Sequence, residues 1–175
     1  MKIAAVLLFL ASGSLPAATA QFSDTAIVIR DGRRIIRLPD LIDPHSFHET
    51  LHALQKVGDT IYVVYGSSEM SRGWPPRNGN CGAGVESFIR WLKVVDGKIV
   101  DRQEGLYLSC WKGRDGYSIA WRDHRLTWQT DGWRRSEDAT ESSLSVHLTW
   151  VYDPAHPEKG IMETEEPTEW QPTKK

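Results

Sequence analysis

The sequence predicts an all-β or mainly β fold, in which an antiparallel meander forms a sandwich, a barrel or a partial propeller and carries one disulfide. Three observations predict this fold. Asp-Gly pairs recur between apolar runs, polar and apolar residues alternate with a period of two, and two cysteines occur in a chain that begins with an export signal. Alternation of this kind is typical of strands with one buried face.

Asp-Gly pairs occur at residues 31–32, 96–97, 115–116 and 131–132, and Gly58-Asp59 reverses the order. Both residue types accept the positive φ of a tight hairpin turn, so these pairs predict turns between strands. The predicted strands are Thr25–Arg30, Arg33–Leu38, Thr60–Gly66, Val85–Val95, Lys98–Asp101, Gly105–Cys110, Leu144–Tyr152 and Gly160–Glu165. The segment His48–Val57 is either a further strand or a helix.

The clearest predicted hairpin joins Tyr117–Arg122 to Arg125–Thr130 through Asp123-His124. In that register Ile119 lies opposite Trp128, and the face that these two residues share also carries Tyr117, Trp121 and Leu126. The other face is polar. We therefore expect one buried and one solvated face, with Trp121 and Trp128 in the core.

The first residues predict export. Lys2 is followed by the apolar run Ile3–Ala11 and by a small-residue stretch that ends in Ala18-Thr19-Ala20, the pattern of a cleaved signal peptide. The apolar run is shorter than the roughly 20 residues of a membrane-spanning helix. We expect a signal peptide over residues 1–20, one β-rich domain over 21–167, and a flexible tail over 168–175.

The two cysteines are Cys81 and Cys110. In an oxidising compartment an even number of cysteines indicates a disulfide, and two cysteines permit only one pairing. Closing a loop of about 30 residues contributes about 3.5 kcal/mol in the chain-entropy treatment. The bridge ties the end of the Gly- and Pro-rich segment Ser67–Gly84 to the strand that ends at Cys110.

This long segment is the candidate binding region. It holds Trp74 before two prolines, and it holds Arg77 and Asn78, while Trp111 follows the second cysteine. Exposed aromatic residues on an ordered loop bind protein partners or stack on sugars.

A second candidate surface is the arginine cluster around the first turn, whose members are Arg30, Arg33, Arg34 and Arg37. Such a cluster either protects a sheet edge or binds an acidic partner or cell-wall polymer.

The segment His48-Glu49-Thr50-Leu51-His52 matches the pattern H-E-x-x-H. On a helix, residues four apart share a face, so both imidazoles would bind one zinc ion while the glutamate activates a water molecule. In these five residues the chain resembles zinc metallopeptidases, and the resemblance implies that His48 and His52 are metal ligands and that Glu49 is the general base.

Other observations favour a strand at this position. Pro44 lies shortly before the motif, at a position that the metal-binding helix would include, and proline disrupts a helix interior. No later helical segment offers a third zinc ligand. In a strand, residues four apart lie roughly 13 Å from one another and do not bind one metal ion. Both a helix and a strand over residues 46–57 remain open, and the interpretation without zinc is preferred.

The preferred function is a non-catalytic periplasmic or secreted binding protein, namely an inhibitor or immunity protein that binds another exported protein such as a toxin or hydrolase. No nucleophile motif or phosphate-binding loop is present, and no cofactor is expected. The net charge of −2 gives no reason to expect nucleic acid or a membrane as partner. The alternatives are a carbohydrate- or peptidoglycan-binding module and the zinc metallopeptidase.

Overall fold

The computed structural model describes residues 18–43, 46–70, 84–109, 114–134 and 144–168. These residues form strands β1 (Thr19–Ser23), β2 (Ala26–Asp31), β3 (Arg34–Leu38), β4 (Ser46–Val57), β5 (Thr60–Met70), β6 (Val85–Val95), β7 (Lys98–Ser109), β8 (Asp115–Arg122), β9 (Arg125–Arg134), β10 (Leu144–Tyr152) and β11 (Ile161–Pro167). Within these ranges the only helical element is a short 3-10 turn at Pro157–Lys159. The predicted mainly β fold is confirmed.

The strands form three antiparallel meanders. The first sheet has the order β1-β2-β3, the central sheet β4-β5-β6-β7, and the third sheet β11-β10-β9-β8. Within each sheet, every strand therefore pairs with its neighbours in sequence, as short hairpin connections require. Among the described residues the three sheets are open, so the barrel alternative is wrong and a stack of sheets is observed instead.

The inner strands of the central sheet, β5 above all, are buried on both faces. Along β5, the residues Ile61, Val63 and Tyr65 pack against the first sheet, where they meet Ile27 and Ile29. The intervening Tyr62 and Val64 pack in the opposite direction, against the third sheet. This double burial explains why Thr60–Gly66 is a continuous apolar run instead of an alternating one.

Large aromatic residues fill the space between the central and third sheets. Trp91 comes from β6, Trp128 from β9 and Trp150 from β10, and each is at most 1 % exposed. Two of these indoles also donate hydrogen bonds, Trp91 toward the third sheet and Trp150 to the neighbouring strand of its own sheet. The Nε1 of Trp91 donates to the carbonyl of Pro157 at 3.1 Å, and that of Trp150 donates to Glu163 at 2.8 Å. These bonds offset the cost of burying an indole N–H.

Several strand boundaries differ from the prediction. The bounds of β6 and β10 are as predicted, but the two strands predicted over 98–101 and 105–110 form one strand, β7. Residues Ser67–Met70 belong to β5, so the irregular segment begins later than predicted. Strand β1 was not predicted. It pairs with β2 and spans the position before Gln21. Cleavage of a signal peptide at that position stays a prediction.

Two of the predicted Asp-Gly turns are wrong. Asp115-Gly116 lies at an irregularity of β8, and Asp131-Gly132 lies inside β9 opposite β10. A Cβ on Gly132 would lie 2.9 Å from Cγ of Arg114, so this glycine makes room for a packed side chain. The predicted turns at 31–32, 58–59 and 96–97 do join strands, and their glycines have positive φ.

The predicted hairpin between β8 and β9 is confirmed, with Ile119 opposite Trp128 and Arg122 opposite Arg125. Asp123 and His124 both have positive φ, as a type I′ turn requires. Trp128 is buried as predicted, but Trp121 is 54 % exposed, so its predicted place in the core is wrong. Strand β8 is the edge of its sheet, and Trp121 lies beside the turn, where none of the described strands covers it.

Gly105 allows a close approach between the central and third sheets. A Cβ at this position in β7 would lie 2.6 Å from Nε1 of Trp150, well inside the contact distance of real Cβ atoms. The indole therefore packs directly against the backbone of β7, and any side chain at position 105 would displace it.

We predict that Gly105→Ala lowers the free energy of unfolding by about 1–3 kcal/mol, because the added methyl group overpacks the interface. Denaturant unfolding measures this change. Trp150→Phe provides the control, since the smaller ring leaves room for the methyl group. The double variant should lose less stability than the sum of the two single losses. Full stability of Gly105→Ala would contradict the packing described.

Candidate binding cleft

A cavity of about 700 Å³ opens between the first and central sheets. One wall is the segment after β3, which contains Asp40, Leu41 and Asp43. The other wall is built from neighbouring residues of β5, β6 and β7, including Arg90. We call this cavity the cleft. It exists because the first sheet covers only part of the central sheet, so polar residues line the uncovered part of that face.

Cross-strand register brings the charged residues of the central wall together. Arg90 of β6 lies opposite Tyr65 of β5 on one side and opposite Glu104 of β7 on the other. Ser67 and Glu69 follow Tyr65 at intervals of two, so all three point to the same face of β5. Side chains at such cross-strand and diagonal positions are within reach of a long arginine.

Arg90 holds this wall in one arrangement. Its Nε donates to Glu104 at 2.7 Å, its Nη2 donates to Glu69 at 2.7 Å, and its Nη1 donates to the hydroxyl of Ser67. The guanidinium also lies over the ring of Phe88, 4.6 Å from the centroid. These contacts fix a planar group that carries five N–H donors in a rigid geometry.

The charges in this wall differ in burial. The side chains of Arg90 and Glu69 are 14 % and 7 % exposed, whereas that of Glu104 is 52 % exposed. Burial alone disfavours the charged guanidinium, but hydrogen bonds to Glu104 and Glu69 outweigh it and raise the pKa of Arg90. Arg90 and Glu69 therefore depend on each other, since either charge alone would be buried without compensation.

Tyr65 connects the two walls of the cleft. Its ring is fully buried and packs against Phe22 of β1 with a centroid separation of 5.8 Å. Its hydroxyl donates to the carbonyl of Leu41 at 3.3 Å, and the amide N–H of Leu41 donates to the carbonyl of Thr25. Burial raises the pKa of Tyr65 to about 12, so this donor stays protonated at neutral pH.

The cleft carries more negative than positive charge. Four carboxylates line it, from Asp40, Asp43, Glu69 and Glu104, against the two guanidinium groups of Arg90 and Arg102. Asp40 is exposed at the rim and has a φ of 57°, a conformation that aspartate and asparagine tolerate better than most residues. Chemically, the arrangement is suited to bind a cationic group.

The helix that the zinc interpretation requires is wrong, because His48, Glu49 and His52 lie in strand β4. His48 is exposed, whereas His52 lies at a bulge between Leu51 and Ala53 and its ring contacts Trp128. No group of three His, Cys, Asp or Glu residues suited to bind a metal ion occurs in the described ranges. The H-E-x-x-H pattern therefore does not place its two histidines on one face of a helix in this protein.

His52 is partly buried and its ring contacts the core. Its ring meets that of Trp128 edge-on at a centroid distance of 5.2 Å, and its Nε2 lies 3.0 Å from the position that a Cβ on Gly66 would take. Burial lowers the pKa of His52. Partial burial thus disfavours the charged imidazolium at this position.

The predicted loop residues Trp74, Arg77, Asn78, Cys81, Cys110 and Trp111 lie outside the described residues, so the disulfide stays a prediction. The strands on either side of these residues are described. Glu86 of β6 lies opposite Ser109 of β7, so the segments that contain the two cysteines leave the same end of the central sheet. Glu69 lies one residue before the end of β5, at this same end.

The residues of the cleft were not identified in the sequence. Glu69 lies in a segment that was predicted to be irregular, and Asp40 and Glu104 lie in unremarkable polar stretches. One signal was available, namely Arg90 within the apolar run Phe88–Leu92. A charged residue inside a strand that is buried on both faces requires a partner, and that requirement indicates a polar cluster.

Comparisons with protein-family models, with curated proteins and with solved structures found no match for this chain. In the described part of the chain, no helix has both the length and the apolar character needed to cross a membrane.

We predict that the protein becomes less stable as the pH falls below about 6.5. The folded state disfavours protonation of His52, whereas the unfolded chain binds the proton readily, so acid shifts the equilibrium toward unfolding. Denaturant unfolding at a series of pH values measures the effect. His52→Gln should remove much of this slope, and His48→Gln, at an exposed position of the same strand, should retain it. Equal slopes in both variants would contradict the assignment.

Proposed function

We propose that this chain is an exported, non-catalytic binding protein that inhibits another exported protein, and that the cleft receives a cationic side chain of that partner. The observation that carries the proposal is the acidic cleft, in which Arg90 fixes Glu69 and Glu104 beside open space. An inhibitor or immunity protein requires a rigid surface of defined charge, and the cleft supplies one.

Preorganisation supports this proposal. The guanidinium of Arg90 is already engaged by two carboxylates and a hydroxyl, and Tyr65 already joins the two walls of the cleft. A partner that enters the cleft therefore meets side chains that need little reordering. Binding affinity is higher when folding has already ordered the binding site, because less conformational entropy is then lost on binding.

The charge balance supports a cationic ligand. Glu104 is half exposed, and Asp40 at the rim makes no hydrogen bond or ion pair with a described residue. A lysine or arginine of a partner would bring a complementary charge to both carboxylates. Such complementarity increases the association rate and excludes partners that present acidic surfaces.

The predicted loop extends the same proposal. Residues 71–83 connect β5 to β6 at the end of the central sheet where Glu69 lies. We propose that Trp74, Arg77 and Asn78 contribute contacts around the cleft and that Trp111 does so from the end of β7. Aromatic and arginine residues of this kind supply most of the binding energy in protein interfaces.

A protein partner is favoured over a glycan. Of the tryptophans whose side chains are described, Trp91, Trp128 and Trp150 are in the core, and Trp121 is exposed. A carbohydrate-binding module is expected to carry several tryptophans on one open face.

We predict that the purified protein binds an arginine-rich peptide amide and does not bind a glutamate-rich peptide of equal length. Binding should disturb the NMR signals of Arg90, Glu104 and Tyr65, because these side chains line the cleft. Asp40→Asn should weaken binding several-fold and reduce its dependence on salt, since one rim charge is lost.

Asp123→Asn is the matched control, because Asp123 is also exposed with positive φ but lies in the turn between β8 and β9. The affinity of the Asp123→Asn variant for the arginine-rich peptide should equal that of the unmodified protein. The same three proteins are then used to capture partners from periplasmic extract, and the captured protein is assayed for loss of activity. Equal weakening by both variants, or preference for the acidic peptide, would refute the proposal.

A further inference from the structure

Strand β8 differs from the other sheet edges that the described residues form. An edge strand exposes unpaired backbone N–H and C=O groups, and proteins protect such edges with charges, bulges or short length. The edge strands β3, β7 and β11 carry several charged residues, β4 has two bulges, and β1 has five residues. The one irregularity of β8 lies between Asp115 and Ser118, and from Ser118 to Trp121 the strand has no charge, no proline and no register shift.

The side chains of this segment also remain uncovered. Tyr117 and Trp121 are 47 % and 54 % exposed, on the same face as the half-buried Ile119. The Tyr117 ring rests against Tyr107 of β7, with centroids 4.9 Å apart, so it is held in place while one side stays open. Large aromatic residues that are fixed and exposed beside an unpaired backbone are typical of a surface that another strand covers.

The order of residues in this segment is symmetric about Ile119. Tyr117 and Trp121 lie at equal distances on either side of it, and Ser118 and Ala120 occupy the small positions between them. When two copies of such a segment pair antiparallel about a two-fold axis at Ile119, the aromatic residues of one copy face those of the other. Aromatic pairs across strands stabilise an antiparallel sheet.

We infer that the chain associates with a second copy of itself through β8, in an antiparallel pair centred on Ile119. Tyr117 of each copy then faces Trp121 of the other, and Ser118 of each faces Ala120 of the other. Two four-stranded sheets become one continuous sheet. A self-complementary contact of this kind is closed by two-fold symmetry, so association stops at the dimer.

This dimer is independent of the proposed function. The cleft lies between the first and central sheets, whereas β8 is the edge of the third sheet, so the cleft stays accessible in both copies. The contact is limited to one short strand from each copy. We therefore expect a dissociation constant no tighter than about 1 μM, with association visible only at higher concentration.

The test measures molar mass in solution by light scattering across roughly a hundredfold dilution series. The unmodified protein should approach the mass of two chains at high concentration and of one chain on dilution. The variant Ser118→Lys with Ala120→Lys places like charges opposite each other across the axis, so its dissociation constant should rise at least about tenfold.

The matched variant is Ser118→Lys with Ala120→Glu. In the proposed register each ammonium group faces a carboxylate of the second copy, so this variant should retain the dimer, whereas the double lysine variant should lose it. Thermal unfolding of both variants checks that the fold is intact, and Ser118 itself is exposed.

Three results would overturn the inference. One is a single-chain mass for the unmodified protein at every concentration. Another is the same mass for both double variants. The third is a monomer whose tryptophan fluorescence is quenched by peptidoglycan fragments and loses this response in Trp121→Ala, since β8 would then be a sugar-binding surface.

Discussion

The fold depends on a central sheet whose inner strands are buried on both faces. Strand β5 sends Ile61, Val63 and Tyr65 toward one core, and Tyr62 and Val64 toward the other. Its apolar residues therefore contribute to two interfaces at once, and the first and third sheets each need only one apolar face. Their outer faces are free to be polar, as with Arg30 and Arg37 on the first sheet and Gln129 on the third.

The same constraint creates the cleft. A strand that is buried on both faces tolerates a charged residue only when other groups neutralise it, and β6 carries Arg90 in such a place. Glu69, Glu104 and Ser67 satisfy the guanidinium, and the first sheet stops short of covering them. The polar cluster is thus a structural requirement of Arg90, and its location beside open space makes it available for binding.

Local patterns predicted the strands better than their assembly. The alternation in β8 and β9 and the turn at Asp123-His124 depend on neighbouring residues, so the register was predicted correctly. The exposure of Trp121 depends on which strand forms the edge of a sheet, and nothing local encodes that order. The cleft depends on strands far apart in sequence. Glu69 and Glu104 meet only because β6 lies between their strands, so no motif signalled the site.

Hydrogen–deuterium exchange of the backbone amides tests the central claim most directly, because exchange reports local and global opening of each strand. If the central sheet is the shared layer of two cores, the amides of Ile61–Ser67 in β5 should exchange slowest, near the rate of global unfolding. Those of the exposed edge strand β11 should exchange much faster. Equal exchange in β5 and β11, or faster exchange in β5, would contradict a fold organised around a doubly buried sheet.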